Sequence, residues 1–140
     1  MARILAIDYG RKRVGLAVTD PMQIIANGLE TVPAKDVLDY LENYMKSEEV
    51  ECIVVGYPKQ LNNEDSESMK YVKPFLGQLK KRFPDIPVEL LDERYTSKMA
   101  FQAMIDGGLK KKARQNKALI DTVSATIILQ NYMERKRNLF

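Results

Sequence analysis

The stretch ARILAIDYGRKRVGLAVTD, residues 2–20, contains two apolar runs that are joined by a short basic segment. The first run, residues 4–7, is continuously apolar. Residues 10–13, a glycine followed by Arg-Lys-Arg, have the composition of a turn. The second run, residues 14–18, alternates large apolar residues with small ones. An apolar run, a turn and a second β-like run together predict a β-hairpin.

Asp8 stands where the first apolar run ends. A carboxylate at the end of a buried strand costs free energy unless it is paired with a positive group or bound to a cation. The alternative is a turn aspartate that caps its own loop, which is a common arrangement. Asp8 is therefore the first candidate site residue, and the rest of the chain must decide between the two interpretations.

The composition is that of a soluble globular protein. The chain has 140 residues, of which 45% are hydrophobic and 29% charged, so we expect a single domain over residues 1–140. No apolar stretch is long enough to span a bilayer, and the chain begins with a strand pattern rather than a signal peptide. The single cysteine, Cys52, lies in an apolar run and is expected to be a buried thiol. These features predict a cytoplasmic protein.

The chain contains no histidine. This excludes Ser-His-Asp and Cys-His catalysis and argues against an ordinary catalytic zinc site. An enzyme of this composition would use a carboxylate, a lysine or metal-bound water as its base. The net charge of +3 is small, so the distribution of charge matters more than its total.

Hydrophobic periodicity predicts further strands and helices along the rest of the chain. Strands are expected over residues 24–32, 50–55 and 88–91, and helices over residues 34–46, 68–83, 96–105 and 117–135. Pro74 predicts a kink or a late start in the second of these helices. Strands that alternate with helices after an opening meander indicate an α/β sheet covered on both faces. Ligands of such sheets gather at the carboxyl ends of the strands, which here are Asp8, residues 56–59 and residues 92–94.

Asp121 lies on a small and apolar face of the last predicted helix. It shares that face with Ser124, Ala125, Ile128 and Tyr132, at offsets of three, four, seven and eleven residues. Such a face should pack on the sheet, so an acid at its head needs an explanation. One explanation is a first-turn acid that the helix dipole favours. The other is a role in a site at the edge of the sheet.

Asp8, Glu93 and Asp121 are three acids on three elements that can meet at one edge of the sheet. Close carboxylates repel one another unless a cation lies between them. Ligands that are all oxygen favour Mg2+ or Mn2+ over zinc, and such a cluster can hold two metal ions. Two bound metal ions activate water and stabilise the leaving oxygen in phosphodiester cleavage.

Four segments, in order, resemble motifs of the YqgF-type family. They are DYGRKRVGLA at residues 8–17, GYP at 56–58, DERYTS at 92–97 and DTVSATIIL at 121–129. This is a family of pre-16S rRNA nucleases related to Holliday junction resolvases, with a ribonuclease-H-like fold. The resemblance implies a mixed five-stranded sheet, with the first three strands an antiparallel meander, the last two parallel, and helices on both faces.

The same resemblance implies a site and an activity. Asp8, Glu93 and Asp121 would be the catalytic, metal-binding residues. The activity would be metal-dependent hydrolysis of structured nucleic acid, in processing of the 5′ end of pre-16S rRNA. Two departures are minor: Tyr57 stands where the family often has leucine, and residues 62–65 replace the usual Asp-Gly turn. The second departure puts the substrate contacts of that loop in doubt.

Basic residues flank the proposed site and are candidates for binding phosphates. Four of them lie in the segments that follow the strands at the proposed site: Lys12, Arg13, Lys59 and Arg94. A second set lies in the predicted loop that follows Gly107-Gly108. This loop contains no acidic residue, and its basic candidates are Lys110, Lys111, Lys112 and Arg114. Any one lysine of this second set is more easily explained as a solvated side chain. As a group they predict salt-sensitive, largely sequence-independent binding of a nucleic-acid backbone.

Three other functions are open at this point. A Holliday junction resolvase acting on branched DNA would need two active sites, and so a homodimer rather than a monomer. A nucleic-acid-binding module without turnover would use the same basic residues. A phosphotransferase of the actin and sugar-kinase type has a similar opening hairpin. That fold, however, needs two such domains with a nucleotide between them.

Overall fold

Five strands form one sheet in a computed structural model of the protein, which describes residues 2–57, 69–92 and 117–138. The strands are β1 Arg3–Tyr9, β2 Arg13–Thr19, β3 Ala26–Pro33, β4 Val50–Tyr57 and β5 Val88–Asp92. A short 3-10 helix, Ala34–Asp36, precedes the first α-helix. The helices are α1 Val37–Ser47, α2 Met69–Arg82 and α3 Lys117–Asn138.

The strand order β3-β2-β1-β4-β5 confirms the predicted mixed sheet. β1, β2 and β3 pair antiparallel in sequence order, whereas β1 pairs parallel with β4, and β4 with β5. The carboxyl ends of β1, β4 and β5 therefore lie at the same edge of the sheet. The turn between β1 and β2 lies at that edge as well, because the two strands are antiparallel neighbours.

Alternation along β1 divides its side chains between the two faces of the sheet. Leu5 and Ile7 belong to a core cluster that includes buried residues of α1 and α2. Ile4 and Ala6 belong to a second cluster that includes buried residues of α3. Asp8 continues the second series, so it lies on the face that α3 covers.

Helix α3 lies very close to β2 and β3, and two glycines permit this approach. A Cβ atom on Gly15 would lie 2.1 Å from the backbone oxygen of Asp121. A Cβ atom on Gly28 would lie 2.5 Å from Cγ2 of Thr122. The Thr122 hydroxyl is also 2.6 Å from the hydroxyl of Thr31 on β3, so the beginning of α3 is hydrogen-bonded to the sheet.

The predicted third strand begins two residues too early, because a turn occupies its first residues. The carboxylate of Asp20 accepts hydrogen bonds from the backbone N–H groups of Met22, Ile24 and Ile25, at 3.2, 2.7 and 2.8 Å. These bonds fix the turn and lower the pKa of Asp20, with the bond from Ile25 as the largest cause. Ile24 and Ile25 consequently remain exposed, and β3 starts at Ala26.

The other predicted elements agree with the structure apart from their ends. β4 continues to Tyr57, and α3 continues to Asn138. The helix expected over residues 34–46 is a 3-10 turn followed by α1. Pro74 lies inside α2, which starts at Met69, so the helix does not start late. The helix expected over residues 96–105 lies outside the described residues.

Cys52 is buried, as predicted, and it lies on the α3 face of the sheet. Its sulfur lies 3.8 Å from the hydroxyl of Tyr132 and 4.0 Å from a carboxylate oxygen of Glu89. Burial raises the pKa of the thiol. Within the described parts of the chain, no helix combines the length and apolarity needed to cross a membrane.

Candidate functional site

Asp8 lies in a row of residues that crosses the sheet on the α3 face. Its register partners are Gly15 on β2 and Gly56 on β4. The row continues to Thr31 on β3 and to Leu91 on β5. Residues that face each other on adjacent strands project to the same side of a sheet. Half-buried Asp8 therefore has a glycine on either side of it in this row.

Asp121 is brought to the same place by its position near the beginning of α3. Its backbone oxygen lies where the side chain of Gly15 would otherwise be, and its Cβ is 3.2 Å from the ideal Cβ position of Gly15. Directly opposed residues in an antiparallel pair have Cβ atoms about 4.5–5.5 Å apart. The Cβ atoms of Asp8 and Asp121 are therefore no more than about 9 Å apart by addition of these two distances.

This separation allows the two carboxylates to share one cation. In a magnesium site, each carboxylate oxygen lies about 2 Å from the ion, and the side chains extend towards each other. The structure thus brings together two of the three acids that the sequence singled out. Glu93 lies outside the described residues, directly after β5, whose carboxyl end is at the same edge of the sheet. Among the described residues alone, no group of three or more potential metal ligands occurs.

Arg13 binds Asp121 in the structure. Its Nε donates to Oδ2 of Asp121 at 2.8 Å, and the two side chains are 42% and 22% exposed, respectively. Arg13 is held at the first position of β2 by the turn before it, where the N–H of Gly10 donates to its carbonyl at 3.0 Å. Phosphate binding by Arg13 stays a prediction, and its ion pair with Asp121 is a contact that the sequence did not reveal.

The remaining basic candidates are only partly described. Lys12 is exposed on the turn between β1 and β2, and its backbone oxygen accepts from the N–H of Ala34 at 2.9 Å. Arg11, which was not among the predicted site residues, lies over the ring of Tyr71 at 5.2 Å from the ring centre. The candidates that lie outside the described residues are Lys59, Arg94, Lys110, Lys111, Lys112 and Arg114.

Two further features of this site were not predicted from the sequence. They are the glycines on either side of Asp8, whose positions follow only from the strand register. Ser124, by contrast, is buried on the face that was predicted to pack on the sheet, one turn of helix after Asp121. Tyr9, the aromatic residue next to Asp8, stacks on the ring of Phe75. The ring centres are 4.2 Å apart, so Tyr9 contributes to the core.

Comparisons with known proteins agree with this architecture. The profile of the RuvX family, described as Holliday junction resolvase, matches residues 2–135. A Phocaeicola vulgatus protein named "Putative pre-16S rRNA nuclease" is 64% identical over 137 residues, which cover 98% of this chain and 99% of the relative.

Two solved structures show the same fold. The fowlpox virus resolvase in complex with substrate Holliday junction DNA has a TM-score of 0.60 and 14% identity, covering 95% of this chain and 97% of that one. T. thermophilus RuvC in complex with a Holliday junction substrate has a TM-score of 0.55 and 20% identity, covering 97% of this chain and 96% of that one. The profile match and the close relative together establish the family: this chain belongs to the RuvX Holliday junction resolvase family.

Proposed function

We propose that this chain is a metal-dependent nuclease that processes the 5′ end of pre-16S rRNA in the cytoplasm. Its family and its close relative identify it as a nuclease, and the name of that relative suggests the substrate. The observation that carries the proposal is the approach of Asp121 to Asp8 over Gly15, at the edge where three parallel strands end. Ligands of α/β sheets commonly bind at the carboxyl ends of the strands, which is where these two acids lie.

The residues present fit a divalent metal ion. Asp8 and Asp121 supply only oxygen atoms, which are the ligands that Mg2+ and Mn2+ prefer. The guanidinium of Arg13 binds Oδ2, one of the two carboxylate oxygens of Asp121. We propose that Asp8, Asp121 and Glu93 would hold the divalent metal. Two of these three acids, Asp8 and Asp121, lie within the described residues.

The chain's own residues would then bind and orient the substrate. A bound divalent ion would activate water and stabilise the leaving oxygen in phosphodiester hydrolysis. Asp8 is held rigidly within a paired strand, and Asp121 is held by the close packing of α3 on Gly15. Arg13 retains two terminal nitrogens that can donate to a phosphate while its Nε holds Asp121. Lys12 on the adjacent turn can add a second positive charge.

The test is cleavage by Asp8→Asn with and without metal. This substitution removes one negative charge and keeps the shape, so we expect unchanged folding and nucleic-acid binding but a loss of cleavage by at least about 100-fold, a loss typical of a misplaced or missing catalytic group. Asp85→Asn is the matched control, because Asp85 is an exposed acid in the turn before β5, at the opposite edge of the sheet. Equal cleavage rates of Asp8→Asn and wild type would refute the proposed site.

The substrate is tested separately. Labelled precursor rRNA and four-way DNA junctions are incubated with the protein in magnesium, in manganese and in chelator. The family match favours branched DNA as the second candidate substrate. A resolvase would cut junctions symmetrically and sediment as a homodimer, whereas we expect faster cleavage of the precursor RNA. Binding without cleavage of either substrate in any metal would favour a module without turnover.

The proposed backbone contacts of the basic loop are tested by salt dependence. Replacement of Lys110, Lys111 and Lys112 with alanine should weaken RNA binding. It should also make the slope of log affinity against log salt concentration less steep, by about 0.7–0.9 for each phosphate that the protein no longer neutralises. Replacement of Lys80 and Lys81 with alanine is the matched control. These two lysines are exposed at the end of α2, which leads to the start of β5, at the edge of the sheet opposite the acids. An unchanged slope in the triple variant would show that these three lysines are ordinary solvated side chains that do not contact the nucleic-acid backbone.

A further inference from the structure

Ser124 carries a buried hydroxyl that has no hydrogen-bond partner. It is 1% exposed, and among the side chains that the structure describes its Oγ is the only buried nitrogen or oxygen left unpaired. The other buried polar side chain, Thr19, accepts from the N–H of Ile4 at 2.9 Å. Thr126, two residues further along α3, donates to the carbonyl of Thr122 at 2.9 Å. Ser124 makes no such bond, although hydroxyls in helices commonly do.

The side chain of Ser124 is directed back along α3, towards the turn that carries Asp121. Residues three apart on a helix lie on the same face, and every Cα–Cβ bond tilts towards the beginning of the helix. The hydroxyl of Ser124 therefore lies over the turn that contains Asp121. Its neighbour Ala125 packs in the cluster that includes Ala6, two residues before Asp8 on β1. Ser124 is thus a buried residue one helical turn after Asp121, on the helix that packs against β1.

A buried hydroxyl without a partner costs free energy, and native proteins retain one where water or an ion supplies the missing partner. Mg2+ keeps several of its waters when only a few carboxylates bind it. We propose that Ser124 is a positioning residue whose hydroxyl binds a water molecule in the hydration shell of the cation held by Asp8 and Asp121. This inference rests on the metal site proposed above, and it assigns that site a polar group other than an acid.

The test compares Ser124→Ala with wild type and with Thr126→Ala as the matched control. The melting temperature is measured first in chelator and then over a range of Mg2+ and Mn2+ concentrations. The metal-dependent rise gives an apparent dissociation constant. We expect Ser124→Ala to melt a few degrees higher in chelator, because alanine removes the unpaired hydroxyl and favours the helix. We also expect it to bind metal about 10–100-fold more weakly, as for other residues that contact metal ligands from outside.

Thr126→Ala should bind metal as wild type does, because the hydroxyl that it removes is bonded within the helix. If Ser124→Ala melts higher but binds metal within twofold of wild type, the hydroxyl is only a packing defect and the inference is wrong. If wild type itself shows no metal-dependent rise in melting temperature, the proposed metal site is wrong, whatever the variants show. The two failures are therefore distinguishable.

Discussion

Gly15→Ala tests whether the approach of α3 to the sheet positions the site. The new methyl group would lie 2.1 Å from the backbone oxygen of Asp121 and 2.5 Å from its carbonyl carbon. Both contacts are with backbone, so no side chain can rotate away. Bringing the shorter contact to an ordinary separation requires the beginning of α3 to move by about 1 Å. Asp121 would move away from Asp8 together with its helix.

The expected result is a larger loss of activity than of stability. A displacement of about 1 Å at a catalytic group can cost about 100-fold in rate. Overpacking at a buried contact costs about 1–3 kcal/mol of folding free energy, which should leave the protein folded at about 25 °C. The assays are single-turnover cleavage of labelled precursor RNA and unfolding in urea. Both are carried out on wild type and variant at the same metal concentration.

Gly77→Ala is the matched control. Gly77 lies in the middle of α2, and nothing lies within 4 Å of the position that its Cβ would take. Alanine in a helix interior is more stable than glycine by about 0.5–1 kcal/mol, so this variant should gain stability and keep wild-type activity. Cleavage by Gly15→Ala within twofold of wild type would contradict this explanation, because the positions of Asp8 and Asp121 would then not depend on the contact.

Three further predictions concern stability and reactivity. The lowered pKa of Asp20 means that its carboxylate stabilises the fold above the unfolded pKa of about 4. That contribution is lost as pH falls through the folded pKa, so wild type should exceed Asp20→Ala in melting temperature at about pH 7, and the difference should shrink towards about pH 2. Thr122→Val removes the bond to Thr31 and should cost about 1 kcal/mol in urea unfolding, whereas an unchanged midpoint would show that this bond contributes nothing. Because burial raises its pKa, the Cys52 thiol should react slowly with iodoacetamide at about pH 8 and rapidly in urea, as mass spectrometry can show.

Local patterns along the chain were sufficient to predict the order of the elements and to single out the acids. Residues 2–20 fold as the predicted hairpin, because alternation with a period of two and a glycine turn are properties of a short segment. The helix that carries Asp121 was predicted for the same reason, since its apolar positions recur with a helical period. Ser124, Ala125 and Ile128 are buried on the predicted face.

The assembly of the site, in contrast, depends on contacts between distant segments. The ion pair of Arg13 and Asp121 joins residues 108 positions apart, and no local pattern contains such a contact. The positions of Gly15 and Gly56 beside Asp8 depend on strand register, which pairing between separate strands fixes. Whether a hydroxyl such as that of Ser124 finds a partner depends on the space left between helix and sheet. These are properties of packing, and packing exists only once the chain has folded.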